Sequence, residues 1–252
     1  EYAEYDVLNL TREVLEGIIK HTFPLAPKNF SRYIVDYDAI HNLDLTKYSS
    51  AEAQIASLSD DIAYITHDLE DSIGAEIITY KDLEEIELLA EYIHRIRNDY
   101  KDIDKARLIY EVARKLTHHL IDSLLSQTRD NIKKYKIGTE SDIRDLGRPL
   151  VEFTENTVNE VKLIKELLFK KVYKHHRVVA VTLQCQNIVK SLFKLYAENI
   201  NLLPFSWRQM IKDDVNNSEM SIIADYIAGM TDRYAIKQYQ SFYNLKFANA
   251  DL

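Results

Sequence analysis

The chain has 252 residues, 29% of them charged, and a formal net charge of -8. That length suits one large domain or two small ones with a sizeable core, and the acidic balance excludes a protein whose main task is coating nucleic acid. Five Gly and four Pro are too few for a multi-stranded sheet protein, and one cysteine excludes a disulfide framework and fits a reducing, cytoplasmic setting.

Apolar residues recur at i, i+3, i+4 and i+7 along most of the chain, which predicts an all-α fold. A first amphipathic helix over 11–22 is stopped by Phe23-Pro24-Leu25-Ala26-Pro27. Residues 28–48 are aromatic-rich and aperiodic and read as a structured loop with short helical turns. Ser49 and Glu52 have the spacing of a capping box and open a helix over 50–73 that ends near Gly74. Thr79 and Asp82 open another through about Asn98, and a long helix over 104–135 is closed by Gly138. Residues 139–149 read as a short linker. Further helices are predicted at 154–173, 176–198, 204–212, 218–228 and 231–243. No apolar run approaches the length of a membrane span, and the opening Glu-Tyr-Ala-Glu-Tyr-Asp is not a signal peptide. No membrane contact is expected.

The helix over 50–73 carries the most informative pattern. At 3.6 residues per turn, Leu58, Ile62, Ile65, Leu69 and Ile73 point one way, while Asp60, Tyr64, His67, Asp68 and Asp71 fall within roughly 100° on the other side. An ordinary surface helix carries long, flexible, mixed charges opposite its core stripe. Short carboxylates flanking a phenol and an imidazole are the groups that hold a metal or a sugar. The face reads as one wall of a site, and the plainer alternative is a solvated helix face.

Other patterns carry less. There is no Gly-rich phosphate loop, Cys-x-x-Cys, His-Glu-x-x-His or Gly-x-Ser-x-Gly. His118-His119 and His175-His176 are helix neighbours that point about 100° apart and chelate poorly, while His118 and Asp122 have better spacing but read as solvated surface. Lys170, Lys171, Lys174, His175, His176 and Arg177 read as a cationic helix end complementing the dipole, with phosphate or single-stranded nucleic acid as the alternative. Cys185 reads as a small packing residue.

Four stretches resemble, in the same order, segments of the bacterial deoxyguanosinetriphosphate triphosphohydrolases of the HD hydrolase superfamily. They are residues 10–21 (LTREVLEGIIKH), 53–71 with Asp60 followed by Ile62-Ala63-Tyr64 and His67-Asp68, 168–175 (LFKKVYKH) and 226–235 (YIAGMTDRYA). The resemblance implies an HD-domain-type helical bundle with a C-terminal helical extension. On that reading residues 1–137 are the later part of the catalytic domain with its following helices, and 138–252 a helical region packed on it.

The resemblance also implies hydrolysis of deoxynucleoside triphosphates to deoxynucleoside and tripolyphosphate by metal-activated water. Asp60 aligns with the carboxylate completing a Mg²⁺ or Mn²⁺ site, and Tyr64 and Asp68 with positions touching the deoxyribose. His67, Lys20, His21 and Arg233 are further candidates for phosphate or base contacts. Asp61 departs from the pattern, because a cation there could touch phosphate and a carboxylate cannot. The family's other ligands, a His and a His-Asp doublet, precede the matching region. His67-Asp68 follows Asp60-Asp61-Ile62-Ala63-Tyr64 rather than the doublet's context.

One carboxylate cannot hold such an ion. The remaining ligands are therefore expected upstream of Glu1, in a longer enzyme of which this is the C-terminal two-thirds, and the chain alone is expected to be inactive. The expected partners are a deoxynucleoside triphosphate, further copies in a homo-oligomer, and a dNTP or single-stranded DNA effector. The rival readings are a non-catalytic oligomerisation or effector-binding module, and a helical hydrolase of another nucleotide or polyphosphate.

Overall fold

The computed structural model describes residues 3, 8–21, 30–213 and 218–243. These form twelve α-helices with no strand among the described residues, the all-α fold predicted from the periodicity. They divide into two compact units, Glu1–Val172 and Tyr173–Leu252.

The first unit holds α1 (Arg12–Ile19), α2 (Arg32–His41), α3 (Ala51–Gly74), α4 (Tyr80–Leu83), α5 (Glu87–Asp99), α6 (Lys105–Tyr135), α7 (Glu140–Asp145) and α8 (Glu155–Leu167). Its centre is α6, against which α3 and α5 pack. Leu69 of α3, Leu89 and Ile93 of α5, and Val112, Leu116 and Leu120 of α6 are fully buried there. Side chains set the helix starts: Thr11, Ser31, Ser50, Asp104 and Thr154 each accept a hydrogen bond from the backbone amide three residues on.

Several local expectations are corrected. The cap of α3 is Ser50, whose hydroxyl accepts from the Ala53 amide at 3.3 Å. Ser49 is buried instead, and its carbonyl accepts from Gln54 Nε2 at 2.8 Å. Part of the presumed loop at 28–48 is α2, capped by Ser31; residues 22–29, with the predicted stop at 23–27, lie outside the described residues. The Thr79–Asp82 capping box forms, but it opens only α4, and α5 starts afresh after Ile86. Leu83, Ile86 and Leu89, before, at and after the break, are all buried.

The stretch read as a linker contains α7 with its own Thr139–Asp142 capping box, and Gly147 turns the chain at φ +69°. It is anchored to α3, because Gln54 Oε1 accepts from the amides of Leu150 at 2.9 Å and Val151 at 3.1 Å. The helix predicted over 154–173 changes to π geometry at Leu168–Tyr173, where Leu168 and Val172 stay buried.

The second unit comprises α9 (His176–Glu198), a 3-10 turn (Ile200–Leu202), α10 (Phe205–Asp213), α11 (Glu219–Ala228) and α12 (Asp232–Tyr243). Its core joins Leu192 and Tyr196 to Leu203, Ile223, Tyr226 and Ile227, with the Tyr196 and Tyr226 rings edge-to-face at 5.4 Å. Only the C-terminal half of α9 is buried by this core. Cys185 lies before it and is exposed, which corrects its reading as a packing residue. No helix among the described residues is long and apolar enough to cross a membrane.

Candidate functional site

The two stripes of α3 are realised. Ile62, Ile65 and Leu69 are buried against the core. On the far side Asp60, His67 and Asp71 are exposed, Tyr64 is 54% exposed, and Asp68 is half-buried.

α1 lies along the start of that face. Gly17 permits the approach, since a Cβ there would sit 3.2 Å from Ala53 Cβ. Where α1 ends, the chain turns onto α3: the His21 carbonyl accepts from Ser57 Oγ at 2.6 Å, and His21 Nε2 lies 3.5 Å from Asp60 Oδ2. An open cleft of about 890 Å³ follows the seam between α1 and α3, with Val14, Gly17, Ile18, Ala53 and Ala56 as its apolar floor and His21 in its lining. Ala56 is one turn before Asp60, so this cleft opens at the N-terminal end of the polar face. A second cleft of about 870 Å³ takes in Asp71, Gly74, Tyr80, Lys105 and Tyr110 at the other end. The polar face therefore runs from one concavity to the other.

The remaining candidates separate by partner. His67 Nδ1 lies 3.4 Å from Glu70 Oε2 on its own helix. Lys20 is 1% exposed, and its ammonium donates to Glu16 Oε1 at 2.8 Å. Burial lowers its pKa, against the opposing pull of Glu16. It is committed inside the fold and does not line the cleft. Arg233 is exposed in the first turn of α12, in the second unit.

Two features escaped sequence reasoning. Asp61, next to Asp60, binds Lys165 Nζ of α8 at 3.2 Å. His119 joins α6 to α8 through Glu160 Oε2 at 2.6 Å, beside Tyr92. Burial, with the Glu160 charge, pushes the Tyr92 hydroxyl up to about 12. Neither pairing has a signal in the linear pattern, because the partners are 104 and 41 residues apart.

A resident divalent ion needs several converging donors. Asp60 offers one carboxylate with His21 beside it, and no group of three or more His, Cys, Asp or Glu among the described residues could hold a metal ion. These residues do not by themselves fit a resident ion.

Comparison with known proteins gives two likenesses. Residues 151–241 match the phosphohydrolase-associated domain. Deoxyguanosinetriphosphate triphosphohydrolase-like proteins of Rickettsia bellii, Rickettsia felis and Rickettsia prowazekii are 49%, 48% and 47% identical over 98% of this chain. The chain spans 64% of the length of each of these relatives. By sequence it is similar to deoxyguanosinetriphosphate triphosphohydrolase-like proteins over nearly all of its own length, and to the phosphohydrolase-associated domain over residues 151–241.

Proposed function

We propose that this chain supplies one wall of the active site of a phosphohydrolase acting on deoxynucleoside triphosphates, releasing deoxynucleoside and tripolyphosphate. The observation that carries the reading is the polar face of α3, where Asp60, Tyr64 and Asp68 stand one turn apart on the stretch between two clefts, neither of which they line themselves. Successive turns advance about 6 Å, a spacing suited to a phosphate at one end of the face and a sugar further along. Tyr64 offers a ring and a hydroxyl, and Asp68 a carboxylate able to accept from a sugar hydroxyl.

Charge sets a condition on this reading. Asp60, Asp68 and Asp71 together repel a triphosphate unless a cation stands between them. Asp60 is the donor this chain offers to such an ion, and the other donors come from outside the described residues. A site shared in this way is consistent with a chain that spans under two thirds of its relatives' length.

The single carboxylate also favours a second reading, in which this region binds nucleotide as a non-catalytic body. Tripolyphosphate release from dGTP and the other dNTPs, with Mg²⁺ or Mn²⁺, separates the two. The 252-residue chain alone should not turn over, whereas a longer protein carrying the upstream His and His-Asp elements should. A longer protein that binds dNTPs without hydrolysis would favour the second reading. Turnover by the chain alone, abolished by His67→Ala, would place the whole site within it and overturn the shared-site account.

A further inference from the structure

Among the described residues, Glu16 and Lys20 are the only charged ones that are fully buried. They lie in the last turn and at the C-cap of α1, paired with each other, and Glu16 is tied to a helix far away in sequence. Arg144 of α7 grips Glu16 with two donors, Nε to Oε1 at 3.1 Å and Nη2 to Oε2 at 2.6 Å. Lys20 Nζ adds a third at 2.8 Å on Oε1. The Arg144 guanidinium also reaches Glu140 Oε1 at 2.7 Å, which orients it from the other side. Burial alone would raise the Glu16 carboxyl, but the Arg144 and Lys20 hydrogen bonds outweigh it and keep its pKa below the ordinary value.

A carboxylate held by three donors from two directions fixes position as well as charge. The same turn of α1 is fixed on another side, where Gly17 closes onto Ala53 of α3. His21 is the next residue after Lys20, and it is the one that meets Ser57 and Asp60. Glu16 is five residues before His21 and Lys20 is its neighbour, so little backbone intervenes between the grip and the imidazole.

We infer that Glu16 is a positioning residue: its buried carboxylate, gripped by Arg144 and Lys20, sets where α1 ends and so holds the His21 imidazole against Asp60 at the mouth of the cleft. The geometric part stands on the contacts alone, while its importance for catalysis rests on the proposed function.

The test reads the separation of positions 21 and 60 directly. In the 252-residue chain, His21→Cys and Asp60→Cys are introduced with Cys185→Ser, and the rate of joining by a short bifunctional methanethiosulfonate is measured well below the unfolding temperature. Adding Glu16→Gln should slow cross-linking about tenfold and speed amide exchange over 12–21 about tenfold, with exchange over 62–69 and 112–124 unchanged. A residue that only adds stability would lower the unfolding temperature and leave both local readouts as in the parent, and that result overturns the inference. Should Glu16→Gln fail to fold, Arg144→Lys decides. It keeps the charge but loses the two-pronged grip, and should slow cross-linking severalfold; a parental rate overturns the inference. Failure of the active-site reading would appear in the chemistry of Asp60 variants and leave the cross-linking result standing.

Discussion

α1 and α3 each present a carboxylate beside cationic or ionisable partners, and burial makes the two carboxylates opposite objects. Glu16 is fully buried, with three donors on its two oxygens. The Asp60 side chain is 74% exposed, with His21 beside one oxygen at 3.5 Å. A buried carboxylate with three of its roughly four lone-pair sites taken shapes the fold and is closed to a ligand. An open one adds little to stability but keeps its coordination directions. The contrast extends to neighbours in sequence, since Asp61 is paired with Lys165 and Asp60 stands exposed beside His21. The difference separates residues that build the wall from residues that act on it.

The sharpest way to break this comparison is Glu16→Ala, which strands the buried Lys20 ammonium and takes from Arg144 one of its two carboxylate partners. A loss of about 3–5 kcal/mol is expected, read by urea unfolding. A change under about 1 kcal/mol would mean that the cluster is not the anchor its geometry suggests.

On the open side, Tyr64→Phe keeps the ring and deletes one hydroxyl. If that hydroxyl binds the sugar alike in ground and transition states, the loss is up to about 3 kcal/mol and appears in KM with kcat unchanged. Steady-state kinetics on a longer, active protein measure it.

Asp82 lies between the extremes and tests whether saturation scales with stability. Burial would raise its carboxyl, but bonds from Lys171 and Thr79 outweigh burial and lower it to about 2. A folded-state value below the ordinary 3.8 means the contribution is present above about pH 4 and is lost as pH falls toward 2. Asp82→Asn should therefore trail the parent by roughly 2 kcal/mol near neutrality, with the two stability curves converging at the acid end. Parallel curves down to pH 2 would contradict the pairing.

How far each region was legible follows from the range of its interactions. The core stripe of α3 and its exposed face rest on helical period alone, so Ile62, Ile65, Leu69, Asp60 and Tyr64 fell where the spacing put them. α2 was missed because Ser31 caps a helix whose apolar residues lack a clean period. The single helix expected over 79–98 divides at 84–86 although Leu83, Ile86 and Leu89 keep a helical spacing, and nothing in the linear pattern marks the break. α7 looked like a linker because its value lies in Arg144, whose partner Glu16 is 128 residues away. Lys20 was a candidate contact by its charge, and only the fold reveals that the charge is already taken.

The central claim is that the α3 face is a wall of the active site, with Asp60 as its donor to a divalent ion. It is tested most directly by metal titration beside turnover for Asp60→Asn in a longer, active protein. An open carboxylate predicts a change in folding stability under about 0.5 kcal/mol, together with a joint fall in metal affinity and kcat. A variant that binds metal and hydrolyses dGTP like the parent would contradict the account.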